Sequence, residues 1–541
     1  MDVEAVVGTP ARRAHRNGPA ARLAGLLLLA LAARGGGLAA QTADAPGADP
    51  GAGATEARGG HAPHGDQASP LLPPAHWAVR AAERAQALGI AGDYLPPQDA
   101  VERGVVLDAL EHAAAAAPAR SPRLAALARG WLARFREEFP AYGEDAAGDA
   151  LLVPANGHLA AGFVDERGRW SPAAGYQVTR GQPQPVPGIS TPRLELAAAV
   201  RAGRHAAGWV QGRWDEGGAD VARWEAVAQA GPLALSAGKQ PVSYGWGEGG
   251  GVVLSSTLLP RVEARTVRPL RPGGVLRWAG GISAHTFASR LGGPRHPDQP
   301  WLWGARVSFQ PHGRVSFAVN RASIFGGDEA VTIDKLLGMA VGVIRGTTFE
   351  NQVLSFEGRW RLPTEAVIPA TLYLEWGADD GAGALDELPA RVAGIFFPAL
   401  PGAPEVGAGV EYAHFKVACC GHGPWYLNSS HPGNWARGSR PLGHPLGGEG
   451  WEAAAYARAD VLDARLRLQL RGFARHRSDE SLIPVTGGNL YTPGREGRAA
   501  GFTARGAWRL TPHTELRASA FGEAGDGWSE RGMDVAVSLF F

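Results

Sequence analysis

Hydrophobic and polar residues alternate with a period of two over much of the chain beyond residue 156. At the C-terminus Val535, Val537, Leu539 and Phe541 fall on one face of a strand. The stretch from Ala464 to Arg475 is more telling. It sends Ala464, Leu466, Leu468, Leu470, Gly472 and Ala474 to one side and Arg465, Arg467, Gln469, Arg471 and Arg475 to the other, with Phe473 among the arginines. An arginine facing lipid costs about 2–4 kcal/mol near the bilayer midplane, so the leucine row must face a membrane and the arginine row an aqueous lumen. Similar two-sided runs recur at 193–196, 353–362, 371–376 and 502–509, separated by Gly, Pro, Asp and Asn clusters suited to turns. Roughly 16 to 19 such segments, each near the ~9–11 residues of a tilted membrane strand, can be placed between residues 156 and 541. Because an even number is expected, the pattern predicts an all-β transmembrane antiparallel β-barrel of about 18 strands, preceded by a small N-terminal helical bundle.

The helical prediction rests on His76 to Gly89, Val105 to Ala117 and Leu124 to Phe139, where apolar residues recur at helical spacing around a break at Pro96-Pro97. Ahead of them, Arg12, Arg13, Arg16 and Arg22 precede the apolar run Leu23 to Ala33 and the small residues Leu38-Ala39-Ala40, the layout of an export signal. Residues 41–74 are rich in Ala, Gly, Pro and Asp and cannot bury a core. The expected organisation is a signal peptide at 1–40, a disordered tether at 41–74, a periplasmic helical bundle at 75–150 and an outer-membrane β-barrel at 151–541. His61, His64 and Asp66 in the tether supply too few ligands at fixed spacing for a metal site.

Composition narrows the classes. The chain has 541 residues with 76 Gly and 41 Pro, and a formal net charge of +1. No apolar run is long enough for a spanning helix, and neither a basic tail nor a recognition helix points to nucleic acid. Only 3 of the basic residues are lysines. Arginine forks favour bidentate contacts to carboxylates and phosphates. The 2 cysteines, Cys419 and Cys420, are adjacent. A bridge between neighbours closes almost no loop, so they read as two small loop residues rather than a scaffold.

Three clusters within the expected barrel resemble those of the Wzi-type capsule assembly family of outer-membrane proteins. They are Gly238-Lys239-Gln240-Pro241-Val242-Ser243-Tyr244-Gly245-Trp246-Gly247 with Gly251 to Ser256; Asn320-Arg321-Ala322-Ser323-Ile324-Phe325-Gly326-Gly327-Asp328; and Tyr412-Ala413-His414 with Arg437-Gly438 and Gly443-His444-Pro445-Leu446-Gly447-Gly448. The resemblance spans roughly residues 75–541. It implies an 18-stranded barrel with a helical bundle on its periplasmic side, acting as a lectin that holds capsular polysaccharide at the cell surface. Cys419-Cys420 and the long tether depart from it. Trp77, Gly89, Pro97, Arg103 and Leu110 are in addition similar to a single S-layer-homology module, which would imply contact with cell wall.

No Gly-x-Ser-x-Gly elbow, His-Glu-x-x-His helix or Walker loop occurs, so neither enzymatic activity nor a cofactor or metal is expected. The expected ligand is an anionic capsular polysaccharide or exopolysaccharide, with outer-membrane lipid around the barrel and peptidoglycan or the polysaccharide export machinery as further partners. Candidate ligand-binding residues are Arg465, Arg467, Arg471 and Arg321 for acidic groups, Tyr244 and Trp246 as flat platforms for sugar rings, and His444. An anion-preferring outer-membrane porin is the alternative, because an arginine-lined lumen selects anions unless loops fill it.

Overall fold

The computed structural model describes residues 65, 67–92, 94, 100–140, 153–168, 191–215, 218–255, 257–292, 297–341, 349–379, 390–415, 425–426, 428, 431, 435–437, 440–478, 484–485, 488–489 and 497–540. The signal-like segment, the part of the expected tether with His61 and His64, Pro97, Cys419-Cys420 and Phe541 lie outside them. The end of that tether is ordered rather than disordered, because Leu71 and Leu72 are buried and pair with Glu102 and Val101.

Among the described residues, eighteen antiparallel strands close into a barrel. They are β1 Val153–Gly168, β2 Thr191–Ala202, β3 Ala206–Asp215, β4 Gly218–Ala230, β5 Leu233–Val242, β6 Thr257–Thr266, β7 Gly281–Arg290, β8 Trp301–His312 and β9 Val315–Phe325, followed by β10 Glu350–Arg361, β11 Thr371–Asp379, β12 Ala390–Phe397, β13 Val406–Phe415, β14 Gly450–Val461, β15 Leu466–Arg477, β16 Gly497–Thr511, β17 Thr514–Gly525 and β18 Trp528–Phe540. Each pairs with its neighbour in sequence, and β18 closes on β1 from Phe540↔His158 to Glu530↔Gly168. Closure leaves no strand edge, which a membrane demands because lipid cannot satisfy backbone hydrogen bonds.

Alternation is the reason these segments are strands of this barrel. In β15, Leu468 and Leu470 are 48% and 55% exposed on the outer face while Arg471 and Arg475 are 3% and 1% exposed inside. In β18, Val537 and Leu539 point outward and Ala536 and Ser538 are buried. Phe473 shares the inward parity of Arg471 and Arg475, whose guanidinium groups lie 5.2 and 3.9 Å from its ring centroid. One element differs from its expected extent. Arg465 is exposed in the turn before β15, not in the strand, because Leu462, Asp463 and Ala464 take successive positive φ values of 55°, 54° and 64°. That bend is held from outside the strand pair, by Arg134 donating to the Ala464 carbonyl at 2.6 Å.

Three helices, α1 Trp77–Leu88, α2 Arg103–Ala116 and α3 Pro122–Glu138, pack around Val79, Leu107, Leu110, Leu127, Trp131 and Phe135. The His76 side chain accepts from the Ala78 N–H at 3.3 Å to cap α1, and Gly89 ends it at φ 73°. Ser121 accepts from the Leu124 N–H at 3.1 Å to cap α3, with Pro122 opening the helix. The bundle docks on one end of the barrel. Arg84 donates to the Pro398 carbonyl at 2.6 Å and pairs with Asp460 at 2.8 Å, and Arg134 pairs with Glu515. On this helix side the connections 203–205, 231–232, 313–314, 462–465 and 512–513 are tight turns and 267–280 is the longest, whereas the other end carries the longest connections of the barrel, 169–190, 326–349 and 416–449, besides the short 216–217 and 526–527.

Candidate functional site: a charge-paired lumen closed by an inward loop

The lumen wall is built from inward-facing strand residues, and its arginines are answered by glutamates. Arg306 grips Glu357 with two bonds of 2.5 and 3.1 Å. Arg261 pairs with Glu263 at 2.5 Å, and Arg265 with Glu102 ahead of α2 at 2.7 Å. Arg471 pairs with Glu452, Arg475 with Glu452 at 2.8 Å, and Arg477 with Glu523 at 3.3 Å. Burying either partner alone would leave a charge without water, so the two signs had to be placed together. The lattice rigidifies the wall and lowers the net positive field that the arginine rows alone would create.

Into this lumen folds the connection from β5 to β6. Its backbone is tied to wall carboxylates: Glu411 accepts the N–H groups of Glu248 and Gly249 at 2.6 and 2.8 Å, and Glu375 accepts the Val252 N–H at 3.1 Å while Ser355 donates to it at 2.6 Å. Glu248 itself accepts from Gln469 at 2.7 Å and from Arg458. It also lies 3.7 Å from Arg80 of α1, so the inward loop and the helical bundle meet inside the barrel. A second layer covers the loop from above. Trp435 donates to the Val253 carbonyl at 2.8 Å, Tyr426 donates to the Val252 carbonyl, and the Ser255 N–H donates to the Leu442 carbonyl at 2.7 Å. Val252, Val253, Leu254, Trp425, Tyr426, Trp435, Leu442 and Leu446 form one buried apolar cluster there.

The glycines of the motif runs are explained by this packing. A Cβ on Gly251 would lie 1.7 Å from the Tyr244 carbonyl oxygen, and one on Gly443 would lie 2.0 Å from the Tyr426 hydroxyl. Only glycine permits such approach.

The candidate residues do not gather into one site. Tyr244 is fully buried, its hydroxyl 2.9 Å from His285 Nδ1. His444 is buried beneath the second layer, its ring Nδ1 accepting from the Leu446 N–H at 3.2 Å and its backbone N–H donating to the Tyr426 hydroxyl at 3.0 Å. Burial drives its pKa down to about 3, with Arg471, Arg475 and Arg477 adding to this against the pull of Glu452. Trp246 is half-buried with the Arg359 guanidinium 4.0 Å over its ring. Arg467 lies beside the bundle, 5.7 Å over Trp77 and 3.9 Å from Glu515. Arg471 belongs to the ion-pair lattice, and Arg465 to the helix-side turn. Arg321 is on the outer face near the loop-side end of β9, bonded to Gln352 at 2.5 Å and reaching the Ala340 carbonyl of α4 Ile333–Val341 at 3.5 Å. The residues that matter most to the closure and that motif reading passed over are Glu411, Glu248 and Glu452. Their signal was present: each is an acidic residue, and Glu411 and Glu452 sit at lumen parity in their strands.

The S-layer-like residues likewise have work within the bundle. The Trp77 indole donates to Glu138 at 2.7 Å, Gly89 caps α1, and Arg103 stacks 4.4 Å over Phe139.

Comparison with known proteins completes the assignment. A solved structure of Wzi, an outer-membrane protein involved in group 1 capsule assembly in Escherichia coli and a carbohydrate-binding β-barrel, is similar at a TM-score of 0.61 and 14% identity, with 87% of this chain and 99% of that chain covered. OprD and OccK11 of Pseudomonas aeruginosa are similar at TM-scores of 0.41 and 0.43 and identities of 8% and 9%, covering 72% of this chain and 94% and 95% of theirs. No curated protein matches the chain. The family model for the capsule assembly protein Wzi matches residues 206–525, from β3 through β17. The chain therefore belongs to the Wzi capsule assembly family of outer-membrane β-barrel proteins.

Proposed function

We propose that this protein binds an anionic surface polysaccharide, capsular or exopolysaccharide, and helps to assemble or retain it at the outer face of the outer membrane. The observation that carries the reading is membership of a capsule assembly family together with a lumen in which the inward loop meets α1 through Glu248 and Arg80. A filled lumen favours a surface role over the diffusion of small anions. The longest connections lie at the end away from the helices, which supports a periplasmic bundle and outward-facing loops. Polymer contacts then belong to the loop-side surface, where Arg321 stands near the end of β9, while Tyr244, Trp246, His444 and Arg471 lie within the closure beneath, Trp246 against the Arg359 that bonds Gln86 of α1. The bundle, facing the periplasm, is placed to meet cell wall or export machinery.

Immobilised capsular polysaccharide from the host, probed with the full chain in detergent, tests the reading. Saturable binding is expected, weakened when the polymer's carboxyl groups are reduced to alcohols. Absence of binding, together with steady open-channel conductance in planar bilayers, would instead support the anion porin.

A further inference from the structure

On the outer face of the barrel, strand register aligns six side chains at the loop-side ends of neighbouring strands. Trp376 of β11 pairs with Arg391 of β12, Arg391 with His414 of β13, His414 with Trp451 of β14, Trp451 with His476 of β15, and His476 with Arg498 of β16. Their chain neighbours Glu375, Val392, Ala413, Glu452 and Arg475 are buried toward the lumen, so the six share outward parity. Arg391 and Arg498 are exposed, and the two tryptophans and two histidines are half-buried. Neither Arg391 nor Arg498 makes an ion pair or hydrogen bond among the described residues, in contrast to the arginines of the lumen lattice.

The other ends of these strands are written differently. Leu372, Val461, Leu466, Trp508 and Leu510 occupy outward positions on the helix side. Tryptophan belts mark both interfaces of a bilayer, but here two arginines join the belt on one side only. Adjacent strands stand ~4.8 Å apart, so four steps separate the backbones of Arg391 and Arg498 by about 20 Å, a gap that narrows by the length of both side chains when they reach toward one ligand with two phosphates. Arginine stays charged and presents a fork matched to phosphate. The indoles of Trp376 and Trp451 sit between the two kinds of chemistry, acyl chain and headgroup.

We propose that this row is a binding site for a phosphorylated glycolipid of the outer leaflet, with Arg391 and Arg498 gripping its phosphates and Trp376 and Trp451 seated at the start of its acyl chains. The site faces lipid rather than the exterior, so it is separate from polymer binding and does not depend on which polymer the loops hold. A tightly held lipid at this position would fix the height of the barrel and hold the loop-side ends of β12 to β16 together.

Native mass spectrometry of the full chain in detergent, with bis-phosphorylated lipid A, dephosphorylated lipid A and inorganic phosphate as probes, tests it. The phosphorylated lipid is expected to be retained at least about tenfold better than the dephosphorylated one, a difference of the size that charge-assisted hydrogen bonds supply. An Arg391→Gln/Arg498→Gln variant, on the outer surface and away from the lumen lattice, is expected to lose that preference while keeping its heat-modifiable mobility in gels. Equal retention of the two lipids by the wild-type protein would overturn the proposal whether or not the variant folds. Displacement of the lipid by inorganic phosphate would also overturn it, in favour of a site for soluble anions.

Discussion

His444 illustrates how one side chain couples the closure to pH. Its pKa is pushed down to about 3 by burial, so in the folded protein it is neutral over the whole range in which a free histidine takes up a proton. Above about pH 6.5 neither state is protonated and the histidine exerts no penalty; below it, the released histidine gains a proton that the buried one cannot. Stability of the closure therefore falls as pH drops from about 6.5 toward 3, by roughly 3 kcal/mol at pH 4. The expected outcome is more frequent channel openings in planar bilayers at pH 4 than at pH 7, a difference that shrinks in His444→Gln, which does not titrate. Gating independent of pH would show that His444 is not sealed as described. Gly251 makes a steric counterpart: its missing Cβ would sit 1.7 Å from the Tyr244 oxygen, so Gly251→Ala should destabilise the inward loop by about 1–3 kcal/mol, read as conductance without loss of the folded barrel.

Among the elements, the strands were legible and the closure was not, for a physical reason. Lipid on one side and a polar lumen on the other force opposite chemistry onto alternate residues, so Leu468 and Arg471 declare their faces locally. The inward loop is held by partners far away in sequence, such as Glu375 for Val252 and Glu411 for Gly249, and no local pattern announces those pairs. Tyr244, an aromatic side chain beside glycines, fits a sugar platform as well as a buried packing layer, and only the fold shows that it and His444 are fully buried. Arg465 went astray because a left-handed bend at Leu462-Asp463-Ala464 carries no glycine signature and is held by Arg134 of α3. The same arginine supports an element-scale prediction. Arg134→Ala breaks a buried pair with Glu515 and is expected to cost about 3–5 kcal/mol of bundle docking. Limited proteolysis should then release the helices while the barrel stays heat-modifiable; unchanged protection would mean that the bundle is held chiefly by its other contacts.

For the whole molecule, closure is shared between both ends. The bundle enters from the helix side, the β5–β6 connection from the loop side, and they meet at Arg80 and Glu248. Removing residues 244–254 should therefore convert the protein from a closed barrel to a conducting one, with bundle and loop no longer in contact. A deletion that leaves conductance unchanged would place the seal elsewhere. Such a closed barrel is suited to presenting a surface rather than a passage, and what it holds there is a polymer. Deleting the gene in its own host and quantifying cell-bound and released polysaccharide separately tests that attachment. The expected result is polymer that is still synthesised but shed into the medium, with attachment restored by the full-length gene. Unaltered attachment, especially with a loss of small-anion uptake, would contradict it.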